Sequence, residues 1–259
     1  MNQPSVKSSS TKKGICEGCL NAEPLTFDFD YAYQPIVNIA TNTVFAHEAL
    51  VRGPAGEPAG TVLSQVNDSN RYQFDQACRI KAIKTAAEIH MESRLSINFL
   101  PNAIYRPELC IRTTLEAART YGFPIDKIVF ETIEGEEIDD GKWLAEILRE
   151  YKRIGFLTAI DDFGAGYAGL NLLADFQPDI VKLDMGLVRN VHESRARQAI
   201  VKGITGIATE LNIQVIAEGV ETREEFSCLR DMGIRLMQGY VFSKPLFRTS
   251  ATLGQINWP

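Results

Sequence analysis

Histidine is scarce: the 259-residue chain has three. A zinc site built from imidazoles is therefore disfavoured, because such sites need several His or Cys ligands. Basic excess is also absent. Lys and Arg number 27 against 33 Asp and Glu, a net charge of −6. That argues against a surface for polymeric nucleic acid, which is bound through clustered cations. A small phosphate ligand held through metal ions stays compatible with it. No apolar run approaches the length of a membrane span. The N-terminus lacks the apolar core of a secretory signal. The expectation is a cytoplasmic protein with no membrane partner. Cysteines are few, odd in number and scattered, at 16, 19, 78, 110 and 228. This fits reduced thiols rather than a disulfide framework. Cys16 and Cys19 form a lone CxxC with no second pair to complete a tetrahedral site, so they read as inert.

What is present is a regular alternation. Residues 1 to about 25 are polar and aperiodic, and read as a flexible tail. From Phe27 to Ile39 the pattern is strand-like, Thr41 and Asn42 suggest a turn, and Thr43 to Arg52 forms a second strand, giving an antiparallel hairpin. GPAGEPAG reads as a loop, followed by a helix from about Thr61 and a longer one from Tyr72 to His90. Strands and helices then alternate. Predicted strands are Leu95–Phe99, Lys127–Phe130, Phe156–Ile160, Ile180–Leu183, Gln214–Ala217 and Arg235–Val241. Predicted helices include Ala103 to Tyr121 and Lys142 to Tyr151, the latter with an apolar stripe of Trp143, Leu144, Ile147, Leu148 and Tyr151. In a further helix, Glu193 to Leu211, the expected buried face is Ile200, Ile204, Ile207 and Leu211. Alternation of this kind implies parallel β-α-β units. Eight strands at this length predict a (β/α)8 TIM-like barrel with an irregular, antiparallel first strand. An open doubly wound sheet is the alternative, but no glycine-rich dinucleotide loop follows the first strand.

A barrel gathers functional groups at the C-terminal ends of its strands. The groups found there are Glu48, Asn98, Glu131, the pair Asp161 and Asp162, Lys182, Glu218 and Gln238. Any one of them reads equally well as a solvated strand end. Their number, and their restriction to carboxylates, amides and one amine, points to a hard cation such as Mg²⁺ or Mn²⁺. Asp161 and Asp162 stand side by side, and two close carboxylates repel unless cations neutralise them. Both can serve one site only where the strand ends and the backbone turns. Two metals about 3.5–4 Å apart suit an in-line displacement at phosphorus. Lys182 would orient a water or stabilise charge on phosphate, and Glu218 would be a base, a ligand or both.

These residues lie in segments that resemble one known family. His47-Glu48-Ala49-Leu50-Val51-Arg52 contains the motif that names the EAL domain, which hydrolyses the bacterial messenger cyclic di-GMP. YQPIV at 33–37, INFLP at 97–101 and FETIE at 130–134 resemble further family segments. So do DDFGAGYAGL (the family's loop 6), VKLD at 181–184, AEGVET at 217–222 and MQGYVFSKPL at 237–246. The resemblance covers residues of about 27 to 250, with an EAL domain expected over residues 26–259.

The resemblance implies a phosphodiesterase that opens cyclic di-GMP to linear 5′-pGpG by two-metal-assisted water attack, using Mg²⁺ or Mn²⁺. It implies that Glu48, Asn98, Glu131 and Asp161 bind one metal, and that Asp161, Asp162 and Glu218 hold the second. Lys182 and Glu218 would be catalytic, with the base left open between them. Gln34, Arg52, Glu221, Gln238 and Tyr240 would contact substrate, and Glu134 and Glu221 would anchor loop 6. A homodimer is a further implication. The alternative is a non-catalytic EAL domain that acts as a cyclic di-GMP receptor or protein-binding regulator; such domains typically lose metal ligands, and here each position is filled. The sequence departs from the family pattern at Ala165 and Ala168, at Val51-Arg52-Gly53, and in a short segment from Gly53 to Asn70. No GGDEF-type synthase or sensor domain is recognised, so a stand-alone or excised EAL domain is expected.

Overall fold

The computed structural model describes residues 23–104, 106–133, 141–165 and 169–259. Cys16, Cys19, most of the expected tail, Glu134 and the middle of loop 6 therefore lie outside the described residues.

Two strands open the fold, β1 (Asp30–Asn38) and β2 (Thr43–Arg52). They pair antiparallel across a turn in which Asn42 has φ 52°, a left-handed value that Asn tolerates well. Six strands follow in parallel: β3 (Arg94–Asn98), β4 (Ile128–Ile133), β5 (Leu157–Phe163), β6 (Ile180–Leu183), β7 (Gln214–Ala217) and β8 (Leu236–Gln238). The last of these pairs antiparallel with β1, closing an eight-stranded barrel in which β1 runs against both neighbours. This is the predicted architecture. A short ninth strand, β9 (Leu246–Phe247), pairs with Ala32 and Tyr33 of β1. At two residues it is too short to show as a sequence pattern.

The helices are α1 (Ala59–Leu63), α2 (Arg71–Glu88), α3 (Pro107–Cys110), α4 (Arg112–Tyr121), α5 (Gly141–Ile154), α6 (Gly169–Asp175), α7 (Met185–Val188), α8 (Arg195–Glu210) and α9 (Arg223–Asp231). The stripe predicted on α5 is inward, with Leu144, Ile147, Leu148 and Tyr151 buried. Two expectations change. The helix expected from Ala103 to Tyr121 is broken before Pro107, which starts α3 and holds Arg106 extended at φ −145°. On α8 the buried residues are Val201 and Ala208; of the expected face Ile204 packs half-buried against the core, while Ile200, Ile207 and Leu211 are 49%, 39% and 38% exposed. Both stripes have helical spacing, so periodicity alone cannot choose between them.

One buried cluster takes Ile36, Ala46, Val129, Ala159, Ile180, Ile216 and Leu236, one residue from each of seven strands. Only the barrel interior brings those strands to one place. This apolar plug is the floor on which the polar site stands.

Candidate active site

Side chains alternate along a strand, so a residue two positions beyond an interior one also points inward. Interior Ala46, Val129, Ala159, Ile180, Ile216 and Leu236 are followed at that spacing by Glu48, Glu131, Asp161, Lys182, Glu218 and Gln238. On parallel strands the step leads to the same C-terminal rim. β1 runs the other way, and its Gln34 lies two before Ile36, directly opposite Glu48. Asn98 is in register with Glu131. A ring of polar groups thus sits directly on the apolar layer.

The ring is tightly connected. Asn98 donates from Nδ2 to Oε1 of Glu48 at 3.0 Å, and Gln238 donates from Nε2 to Oε2 of Glu48 at 2.9 Å. The Ser96 hydroxyl donates to Glu131, a contact that sequence reading missed. Lys182 is fully buried, and its Nζ lies 2.7 Å from Glu218, 2.8 Å from Glu131, 3.1 Å from Asp161 and 3.6 Å from Glu48. Carboxylate oxygens of Glu48, Glu131 and Asp161 lie within 4.8 Å of one another, and so do those of Asp161, Asp162 and Glu218. Asp161 belongs to both groups.

β5 was expected to end at Ile160 and turn. It runs on to Phe163, with an irregular register against β6 between Ile160 and Phe163. Asp162 has φ 51°. A regular strand would point Asp161 and Asp162 to opposite faces. The extra residue and the left-handed backbone keep Asp162 on the rim, beside Asp161 and Glu218. Both carboxylates reach one site through this bulge rather than through a strand end.

Charge decides what the ring can hold. Among the described residues, five carboxylates share the rim with one ammonium, four of them within 4 Å of it. Full ionisation leaves four negative charges, which two divalent cations would balance. The donors are oxygens, the set that hard divalent ions take. Without such ions, protons must help. Burial pushes the Glu131 carboxyl up to about 8, against the pull of Lys182 and with repulsion from Glu48 and Asp161. Burial likewise raises Glu218 well above its ordinary range. It would raise Asp161 too, but the Lys182 charge and hydrogen bonds with Glu218, Lys182 and the Asp162 amide hold that group low. Burial and the Asp161 charge raise Asp162.

These shifts carry a testable sign. A metal bound at this ring would displace the protons that Glu131 and Glu218 retain. Mn²⁺ affinity is therefore expected to rise from about pH 6 to about pH 8, by about tenfold per pH unit for each proton released. Titration calorimetry in buffers of different ionisation enthalpy counts those protons. An affinity flat across that range contradicts the assignment.

Two cavities meet at the ring. One of about 290 Å³ is lined by Gln34, Glu48, Asp162, Glu218, Gln238 and Tyr240, among others. The other, of about 320 Å³, is mainly apolar, lined by Leu50, Val51, Leu63 and Phe99, and it reaches Asn98 and Asp161. Oε1 of Gln238 is buried with no hydrogen-bond partner among the described residues. Gly239 lets the strand end close up: a Cβ there would lie 2.0 Å from the Val220 carbonyl oxygen. The Val220 amide donates to the Gln238 carbonyl at 3.0 Å, and the Val241 amide donates to the Val220 carbonyl at 3.1 Å. These bonds hold Gln238 and Tyr240 beside the loop of Glu218.

Other expected site residues sit differently. Arg52 turns its guanidinium to the Val51 carbonyl at 2.7 Å and does not line the polar cavity. Glu221 does line it, with its carboxylate 2.7 Å from Arg189. Glu134 lies outside the described residues. Met185, half exposed on the cavity wall, was not anticipated. No helix among the described residues is long and apolar enough to cross a membrane.

Comparison with known proteins agrees with this geometry. The profile of the EAL domain matches residues 24–245. The blue light- and temperature-regulated antirepressor BluF of Escherichia coli is 34% identical over 235 residues, 90% of this chain and 58% of BluF. The cyclic di-GMP phosphodiesterase NbdA of Pseudomonas aeruginosa is 32% identical over 230 residues, 83% of this chain and 28% of NbdA. The chain thus spans little more than half of one and about a quarter of the other. A standalone versatile EAL protein from Vibrio cholerae, solved with c-di-GMP bound, superposes with a TM-score of 0.87 at 56% identity, over 90% of this chain and 98% of that one. The manganese and cyclic di-GMP complex of Klebsiella pneumoniae BlrP1 at pH 9.0 gives 0.81 at 36% identity, over 88% of this chain and 58% of that one. With the motif set, the barrel and the acidic rim all in place, this chain belongs to the EAL domain family.

Proposed function

We propose that the chain is a cytoplasmic, divalent-metal-dependent phosphodiesterase that opens cyclic di-GMP to linear 5′-pGpG. One observation carries the reading: two overlapping carboxylate groups share Asp161, surround the buried ammonium of Lys182 and lie between two cavities. The ligand in the Vibrio structure, the manganese in the BlrP1 complex and the activity named for NbdA support it. Glu48, Asn98, Glu131 and Asp161 would hold one Mg²⁺ or Mn²⁺, and Asp161, Asp162 and Glu218 the other. Bound there, the ions would neutralise the ring, polarise the phosphodiester and lower the pKa of water.

The chain's own groups do the rest. The four carboxylates around Lys182 outweigh its burial and keep it charged, so it acts as a donor that orients water and stabilises charge on phosphate. Glu218, 2.7 Å from Lys182, would take the water's proton. The new bond joins phosphorus to the water oxygen, the bond to the 3′ oxygen breaks, and that oxygen would take up a proton from solvent while Glu218 returns its own. Gln238 holds Glu48 through Nε2. Gln34, Glu221 and Tyr240 would line the path of one nucleotide, and the apolar cavity would take the base of the other. Arg52 would reach substrate only after swinging off the Val51 carbonyl.

The test is direct. With Mn²⁺ and cyclic di-GMP the protein is expected to yield pGpG, and Glu48→Ala is expected to stay folded and yield none. Turnover of the variant at the parent rate overturns the site assignment. Binding without turnover in the parent favours the regulator class, to which the antirepressor name of BluF points. The implied homodimer has an apolar stripe available in Ile200, Ile207 and Leu211. Ile207→Glu is expected to give a monomer by light scattering, and an unchanged dimer would move the interface elsewhere.

A further inference from the structure

The strand end that carries Asn98 leaves the sheet at once. The Phe99 amide donates to the Glu131 carbonyl at 3.0 Å. The Leu100 amide then donates to Oδ1 of Asp75, on α2, at 3.0 Å. Pro101 follows and keeps Leu100 extended, at φ −98° and ψ 106°. Asp75 is 2% exposed, and its other oxygen pairs with Arg79 one turn along the same helix. Arg79 is fully buried. Its Nη1 donates to the Tyr151 hydroxyl at 2.9 Å, and its guanidinium lies 5.8 Å from the Phe99 ring and 5.4 Å from the Phe130 ring. Phe99 and Phe130 are the chain neighbours of Asn98 and Glu131.

A buried ion pair is a poor source of stability, because desolvation offsets the attraction and an apolar replacement is often as stable. Placement is what this one supplies. It grips the amide two residues beyond Asn98 and the rings next to Asn98 and Glu131. We infer that Asp75, locked by Arg79, is a positioning residue: it fixes the strand end that presents Asn98 to the cluster of Glu48, Glu131 and Asp161. The inference rests on the proposed role of Asn98 as a metal ligand.

Removing one charge alone strands the other in the interior, so the pair is changed together. Asp75→Asn with Arg79→Met keeps an acceptor for the Leu100 amide. Asp75→Leu with Arg79→Met removes it. By calorimetry the leucine version is expected to bind Mn²⁺ about tenfold more weakly than the parent, and the asparagine version within about twofold of it. In an Asn98→Ala background the leucine version is expected to cause no further loss, because its effect passes through Asn98. Equal Mn²⁺ affinity of the two folded double variants, or an additive loss on Asn98→Ala, overturns the inference. An Asn98→Ala variant that binds Mn²⁺ like the parent overturns instead the ligand role beneath it. Hydrogen exchange of the parent gives a reading that needs no variant. The Leu100 amide is expected to be protected like those of the barrel strands, and exchange at the rate of a free loop overturns the anchor.

Discussion

Lys182→Met is expected to lose cyclic di-GMP hydrolysis by about 10³-fold or more and, without metal, to melt far below the parent. The two effects share a cause. Lys182 has no solvent contact and lies 2.7–3.6 Å from four carboxylates. Removing one partner of such a buried cluster leaves uncompensated charge, a loss of about 3–5 kcal/mol. The remaining carboxylates then hold protons to higher pH than they do when unfolded. Their folded values lie above the unfolded ones, so the metal-free variant is expected to lose stability as pH rises from about 5 to about 8. Divalent ions bound at the ring would replace the missing charge. The rise in melting temperature on adding Mn²⁺ is thus expected to be larger in the variant than in the parent, while hydrolysis stays lost because no donor orients water. Scanning calorimetry with and without Mn²⁺ reads the first effect, and pGpG formation the second. A variant that melts like the parent without metal would show that the ammonium does not neutralise the ring.

Much of this site was legible because the barrel obeys a simple count. Six of its polar groups each stand two places beyond an apolar interior residue, as Glu131 does after Val129 and Glu218 after Ile216. Period two on parallel strands carries all of them to one rim. The same count hides the place where the rule breaks. Asp161 and Asp162 are adjacent, so an alternating strand cannot aim both inward. The bulge that resolves this leaves no mark in the sequence except the pair itself and the glycines after it.

Other misses have different physics. On α8 two apolar stripes compete, and the smaller side chains, Val201 and Ala208, sit inward where the helix approaches the barrel. Size favours close approach there, which hydropathy does not weigh. Ser96 looks like a tolerated small residue in an apolar strand, yet its hydroxyl sets one oxygen of Glu131. Arg52 matches a motif position but donates from Nη1 to its own neighbour's carbonyl. A motif specifies a residue type, whereas rotamer and partner depend on what surrounds it.

Asp161→Asn is expected to be the most damaging of the carboxylate substitutions, because among the described residues Asp161 alone belongs to both groups of clustered carboxylate oxygens. Asp162→Asn removes a carboxylate charge from one group, and Glu48→Gln from the other. Asp161→Asn removes one from both at once and also withdraws the charge 3.1 Å from Lys182. Asparagine is close in shape, so the fold is expected to hold. The difference shows in metal stoichiometry. At Mn²⁺ concentrations that fill the parent, elemental analysis is expected to find about two ions in the parent, about one in Asp162→Asn and fewer than one in Asp161→Asn. Hydrolysis by Asp161→Asn is expected to fall by about 10⁴-fold, exceeding the loss in Asp162→Asn, since bound ions would supply both the nucleophile's acidity and the charge opposite the phosphodiester. If Asp161→Asn and Asp162→Asn retain the same amount of metal, the two ions do not share Asp161. The reading of two overlapping groups around one ammonium then fails, even where the protein still binds its nucleotide.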